Sequence, residues 1–214
     1  VATNYQVNEM FNTVQGEGVH VGKAATFIRL QGCAVGCPWC DTKYTWLKGG
    51  TRMTANDIMK TLGPTILPHV VITGGEPTLY NLDDLIIALR TYLDRKYLKS
   101  MIQLETSGQN NLRGELVPDW VTWSPKENLH FTCKSKLIKQ VNEIKFVVDE
   151  AMTYEKLISV VLTFRSSTNR QVPIVLMPEG TPPKPENCQK AMEWVMKDSQ
   201  LILGDRLQWR LGIR

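Results

Sequence analysis

Apolar and polar positions along the chain fall into short runs that alternate between two periods. Ala24–Leu30, Trp120–Trp123 and residues 69–73, 101–105, 144–148 and 172–177 have the length and apolar content of strands. Between them lie segments with a helical period. Thr54, with Asp57 three residues on, reads as a capping box that opens a helix over Ala55–Leu62. Asn81 is placed to cap a helix over residues 82–95, where Leu82, Leu85, Ile86 and Leu89 share one face. Residues 154–164 and 185–195 are two further helical segments, Pro185 suiting a first turn. Residues 206–211 read as one more strand.

Strands alternating with helices predict mostly parallel pairing through right-handed crossovers. About six such strands in 214 residues predict an α/β fold, a partial (βα) barrel rather than a complete eightfold one. No linker, repeat or low-complexity stretch divides the chain, so residues 1–214 are expected to form a single domain. The unusual sequences all follow strands: residues 32–40, 74–77, 105–108, 124–126 and 178–180. Ligands of such folds bind at the C-terminal strand ends, so these five segments are expected at one mouth.

Composition narrows the class. Hydrophobic residues make up 43%, and 25 Lys and Arg against 21 Asp and Glu leave a charge of +4. That excess is scattered. Its densest stretch, residues 134–145, also holds Glu143 and reads as a solvated face, so nucleic acid is not expected as a direct partner. No apolar run is long enough to span a membrane, and the first eight residues lack the features of a signal peptide, so a cytoplasmic location is expected.

Three of the five cysteines lie within eight residues, as Cys33, Cys37 and Cys40. An odd count without a secretory signal argues against a disulfide framework and for metal ligands. The spacing C-x3-C-x2-C lets one loop wrap a cubane cluster. Most [4Fe–4S] clusters take four cysteines; three leave one iron open, which suits chemistry better than electron storage. Structural zinc is the alternative. It needs a fourth ligand, for which Cys133, His20, His69 or His130 are available, and it leaves Gly74-Gly75-Glu76-Pro77 unexplained.

The cysteine motif followed by Gly74-Gly75-Glu76-Pro77 resembles the radical S-adenosylmethionine (SAM) superfamily. There an open iron holds SAM, and the two glycines allow close backbone approach to its methionine moiety. More specifically, Gln15-Gly16-Glu17-Gly18, Phe27-Ile28-Arg29-Leu30-Gln31-Gly32-Cys33, Cys40-Asp41-Thr42-Lys43, Glu105-Thr106-Ser107-Gly108 and Ser124-Pro125-Lys126 resemble the 7-carboxy-7-deazaguanine synthase family. The resemblance runs from about residue 8 to 178. It implies ring contraction of 6-carboxy-5,6,7,8-tetrahydropterin with loss of ammonia, a step toward queuosine and related deazapurines. It also implies a [4Fe–4S] cluster, SAM and Mg²⁺ as cofactors, an external electron donor such as flavodoxin, and a homodimer.

Carried onto this chain, the resemblance gives the cluster to Cys33, Cys37 and Cys40 and Mg²⁺ to Thr42. It gives SAM to Trp39, Cys40, Asp41, Gly75, Ser124, Pro125 and Lys126, with Glu105 at the ribose hydroxyls. The substrate falls to Val14, Gln15, Gly16, Arg29 and Thr73. On chemistry alone, Arg29 shares a strand face with Phe27 and Gln31. Turned into a barrel it needs an anion, which a substrate carboxylate would supply; on an edge strand it would sit in solvent. Thr42 otherwise reads as a loop threonine, Thr73 as a β-branched strand residue and Ser124-Pro125-Lys126 as a turn. Two rival functions are a glycyl-radical-enzyme activase, which needs no carboxylate pocket, and a non-catalytic iron–sulfur or zinc module.

Overall fold

The structure is a computed structural model that describes residues 2–180, 182–200 and 209–211. Among the described residues nine strands form one sheet: β1 (Asn4–Val14), β2 (Ala24–Leu30), β3 (Thr51–Thr54), β4 (His69–Gly74), β5 (Met101–Thr106), β6 (Trp120–Trp123), β7 (Glu143–Val148), β8 (Ile174–Pro178) and β9 (Trp209–Leu211). Their order is β3-β1-β2-β4-β5-β6-β7-β8-β9. From β2 to β9 every pairing is parallel. The expected parallel series is therefore present, and β9 matches part of the expected strand over 206–211; residues 206–208 lie outside the described residues.

The sequence reading missed β1 and β3. Both pair antiparallel, β1 with β2 and with β3. β1 alternates weakly because its middle, Asn8 to Phe11, is only half-buried, so neither face carries the apolar periodicity that marks a strand.

Among the described residues four α-helices cover the sheet: α1 (Ala55–Leu62), α2 (Asp83–Lys96), α3 (Tyr154–Thr168) and α4 (Pro185–Gln200). The capping box at Thr54 and Asp57 forms as expected. Asn81 accepts from the Asp83 amide at 2.9 Å, just outside α2. Val70, Ile72, Ile102 and Leu104 pack with Ile58, Leu85, Leu89 and Leu93 of α1 and α2. Ile144, Phe146, Ile174 and Leu176 pack with Leu157, Phe164, Ala191 and Trp194 of α3 and α4. Each fully buried leucine contributes roughly 1.5–3 kcal/mol, so these two clusters hold the helices to one face.

The opposite face alternates by the two-residue period and is largely polar: Arg29 and Thr73, then Gln103 and Glu105, then Thr122, then Glu143 and Lys145. A buried polar row must satisfy itself. His69 Nε2 bonds Gln103 Oε1 at 2.8 Å, Gln103 Nε2 donates to Thr122 Oγ1 at 3.0 Å, and Thr122 donates to Glu143 Oε1 at 2.7 Å. This ladder crosses four neighbouring strands. The curled sheet thus carries a polar lumen, and the ends of its strands open into one cavity.

Candidate active site

The cavity has a volume of about 420 Å³ and joins the exits of β2, β4, β5, β6 and β7. Four of the five expected segments reach it. The fifth, residues 178–180, does not line it; there the Glu179 amide bonds Val148 O and its carboxylate pairs with Lys184.

Cys33, Cys37 and Cys40 all line the cavity. Burial raises the Cys33 and Cys37 thiols above their usual range; the Glu76 charge adds to the rise at Cys33, and Lys126 opposes it at Cys37. None of the alternative zinc ligands Cys133, His20, His69 and His130 lines this cavity. Cys133 lies within reach of Gly108 and is held up at about 12 by burial. The four candidates for a fourth zinc ligand thus lie outside the cavity. Among the described residues no three His, Cys, Asp or Glu side chains are arranged to hold a metal ion, so it is the C-x3-C-x2-C spacing that suits a cluster with one open iron.

The two glycines of Gly74-Gly75-Glu76-Pro77 serve the protein's own backbone. A Cβ at Gly74 would overlap the Leu30 backbone, and one at Gly75 would overlap Gly32 O and come within 3.0 Å of the Cys33 side chain. The Gly75 amide donates to Leu30 O at 2.9 Å and the Glu76 amide to Gly32 O at 2.8 Å. The glycines thus let β4 run tight against the start of the cysteine loop. Glu76 then turns inward, almost wholly buried, and accepts five hydrogen bonds: from the Thr78 amide and hydroxyl, the Thr106 hydroxyl, and the Ser107 amide and hydroxyl. It ties the exits of β4 and β5 together.

The segment after the cysteines is shaped by Gln31. Its Nε2 donates to Tyr44 O at 3.0 Å and Leu47 O at 2.8 Å, and its Oε1 accepts from Asn8 at 2.6 Å. This folds the chain back so that Thr42 Oγ1 lies 3.5 Å from Cys40 Sγ, at the cavity wall. Trp39 and Asp41 line the same wall. Lys126 donates to Ser124 Oγ at 2.6 Å, and its ammonium stands 4.6 Å from the Trp39 ring centre. Burial lowers this lysine to about 8, against the opposing pull of Cys37.

Arg29 points to the cavity but already has an anion. Its Nε donates to Glu9 Oε1 at 2.7 Å, its guanidinium lies 5.8 Å from the Phe11 ring centre, and its side chain is 16% exposed. The expectation was that a buried Arg29 needs an anion; Glu9 supplies one here.

Glu105 also stands in unexpected company. It accepts from Thr73 Oγ1 at 3.0 Å and Gln15 Nε2 at 3.3 Å, and Lys145 Nζ lies 3.7 Å away. Lys145 also pairs with Glu17. Burial acts to lower Lys145, yet Glu105 and Glu17 outweigh it and hold the ammonium above its ordinary range. Glu143 and Lys145 are buried, so the reading of residues 134–145 as a solvated face fails at its end. The alternation of Glu143, Lys145 and Val147 within a strand was the available signal. Of the residues assigned by resemblance, Val14 is 56% exposed and, with Pro125, does not line the cavity; Gln15, Gly16, Thr73 and Gly75 do.

Comparison with known proteins decides the family. Residues 14–173 match the family model described as a 4Fe-4S single cluster domain. The chain is 39% identical to the 7-carboxy-7-deazaguanine synthase of Prochlorococcus marinus over a region covering 70% of this chain and 67% of that protein. It is 36% identical to the Escherichia coli K12 synthase, covering 78% and 82%. The chain belongs to the 7-carboxy-7-deazaguanine synthase family. The crystal structure of QueE from Escherichia coli superposes with a TM-score of 0.75 at 31% identity, over 99% of this chain and 94% of that one. As a member of this family the chain is a radical SAM enzyme with a [4Fe–4S] cluster. Among the described residues no helix is long and apolar enough to cross a membrane.

Proposed function

We propose that this enzyme contracts the ring of 6-carboxy-5,6,7,8-tetrahydropterin to 7-carboxy-7-deazaguanine with release of ammonia. The supporting observation is that one cavity holds the three thiols together with Arg29, Gln15, Thr73 and Glu105. When bound, the cluster and SAM supply a 5′-deoxyadenosyl radical that removes a hydrogen atom from the substrate.

The remaining work falls to the chain. Cys33, Cys37 and Cys40 hold the cluster. Trp39, Asp41, Gly75, Ser124 and Lys126 would border SAM, with Lys126 fixed by Ser124 Oγ and the Trp39 ring. Arg29, oriented through Nε by Glu9, offers its terminal nitrogens to the pterin carboxylate. Gln15, Gly16 and Thr73 meet the pterin amide edge. Glu105, bonded to Gln15 and Thr73, belongs on this substrate side and not at the SAM ribose. Thr42 would supply a hard oxygen donor to Mg²⁺. The electron comes from an external donor such as flavodoxin, and the working protein is a homodimer. A glycyl-radical-enzyme activase acts on a backbone and would leave Arg29 without a carboxylate to bind.

Anaerobic turnover with the carboxypterin, SAM, Mg²⁺ and a reductant tests the reading. Contraction is redox-neutral, so product should exceed SAM consumed, and deuterium at the pterin C6 should enter the SAM pool. One 5′-deoxyadenosine released per product would reject it.

A further inference from the structure

The segment between β1 and β2 leaves one end of the sheet and crosses to β7, four strands beyond β2 in the sheet order. Two buried side chains of β7, on one face two residues apart, receive it there. Glu143 Oε2 accepts from the Val19 amide at 2.9 Å, while Thr122 occupies its other oxygen. Gly18 has φ +74° and passes so close that a Cβ would stand 2.5 Å from Glu143 Oε1. Conformation and space both demand glycine at this position. Lys145 pairs with the Glu17 side chain and lies 3.7 Å from Glu105, which in turn accepts from Gln15. Within the segment the Glu17 amide donates to Gln15 Oε1 at 3.1 Å, the Gln15 amide donates to Lys23 O and the Gly22 amide to Gln15 O, each at 2.8 Å.

Residues 15–19 are therefore fixed from across the lumen, through polar side chains buried where their hydrogen bonds are strongest. Glu143 itself is wholly buried and does not line the cavity. We propose that Glu143 and Lys145 of β7 are positioning residues that hold residues 15–17 in the conformation that binds the substrate. This rests on the reading that Gln15 and Gly16 meet the pterin. It makes pterin affinity depend on a strand remote in sequence from the substrate loop.

Glu143→Gln, Lys145→Met and Lys145→Arg in the cluster-loaded enzyme test this. Hydrogen exchange without substrate should show faster exchange of the peptide spanning residues 14–20 in Glu143→Gln and Lys145→Met, with β4 and β5 peptides unchanged. In turnover, KM for the carboxypterin should rise about tenfold with kcat within about threefold and SAM affinity unchanged, the signature of lost substrate positioning. Lys145→Arg should recover part of the KM, and adding Glu17→Gln to Lys145→Met should cost little further, because the two act as one unit. If Lys145→Met fails to fold, the isosteric Glu143→Gln decides. Unchanged exchange of residues 14–20 in a folded variant would overturn the proposal. Wild-type enzyme inert toward the carboxypterin would instead reject the substrate reading, and the exchange measurement would still decide the clamp.

Discussion

Arg29 and Glu9 pair across the β1–β2 hairpin, Nε to Oε1 at 2.7 Å, on cross-strand partners in register. The bond takes the side edge of the guanidinium and leaves its terminal nitrogens for a carboxylate. Tyr44 OH donates to the same Glu9 oxygen at 3.0 Å, linking this pair to the segment that carries Thr42.

Removing each partner should therefore have unequal effects. Arg29→Ala loses the charge that meets the substrate and should lower kcat/KM by a factor corresponding to about 2–5 kcal/mol. Glu9 is 41% exposed, so Glu9→Gln should lower it only a few-fold, about 0.5–1 kcal/mol. Equal losses in steady-state kinetics would mean that Glu9 does more than orient.

For the cluster, anaerobic reconstitution should give about four irons per chain. Serine at Cys33, Cys37 or Cys40 should remove the cluster absorption. Serine at Cys133 should not, since burial keeps that thiol protonated, at about 12, and it lies outside the cavity. Loss of iron in Cys133→Ser would bring a fourth protein ligand back into consideration.

Thr42→Ala should raise the Mg²⁺ concentration needed for half-maximal turnover about tenfold or more, with SAM binding kept, since a hydroxyl ligand is replaced by nothing. An unaltered Mg²⁺ response would remove Thr42 from the metal.

Glu76→Gln tests the tie between β4 and β5. Each carboxylate oxygen accepts from a backbone amide, Thr78 on one side and Ser107 on the other. A carboxamide can present its NH2 to one or the other, and neither amide can reverse its role. One buried donor pair must then clash, at a cost of about 2–4 kcal/mol, or roughly 5–10 °C in Tm. A thermal midpoint within 1–2 °C, about the shift from half a kcal/mol, would mean that the site rearranges freely.

His69 should stay neutral in mildly acid solution. Burial holds its titration below the usual histidine value, and the bond to Gln103 Oε1 calls for the proton on Nε2 because Gln103 Nε2 is already donating to Thr122. Imidazole nitrogen shifts across pH 5–7 should show one Nε2-protonated tautomer at pH 6.5. A ring without the proton on Nε2 at that pH would break the ladder as drawn.

Local pattern carried much of this molecule. The parallel strands, the capped helices and the three cysteines are legible because period, capping chemistry and ligand spacing are properties of neighbouring residues. Resemblance then assigned chemistry to single positions along the strand exits. What only the tertiary structure decided depends on partners far apart in sequence. That Gly75 must be glycine for the protein's own backbone is seen only once Gly32 lies against it; Glu143 and Lys145 look solvated until β7 is placed inside the lumen. Arg29 and Glu9 are 20 residues apart and Lys145 and Glu17 are 128 apart. The cost of burying such charges is met only by the partner that folding brings, and no local pattern in the sequence records which one that is.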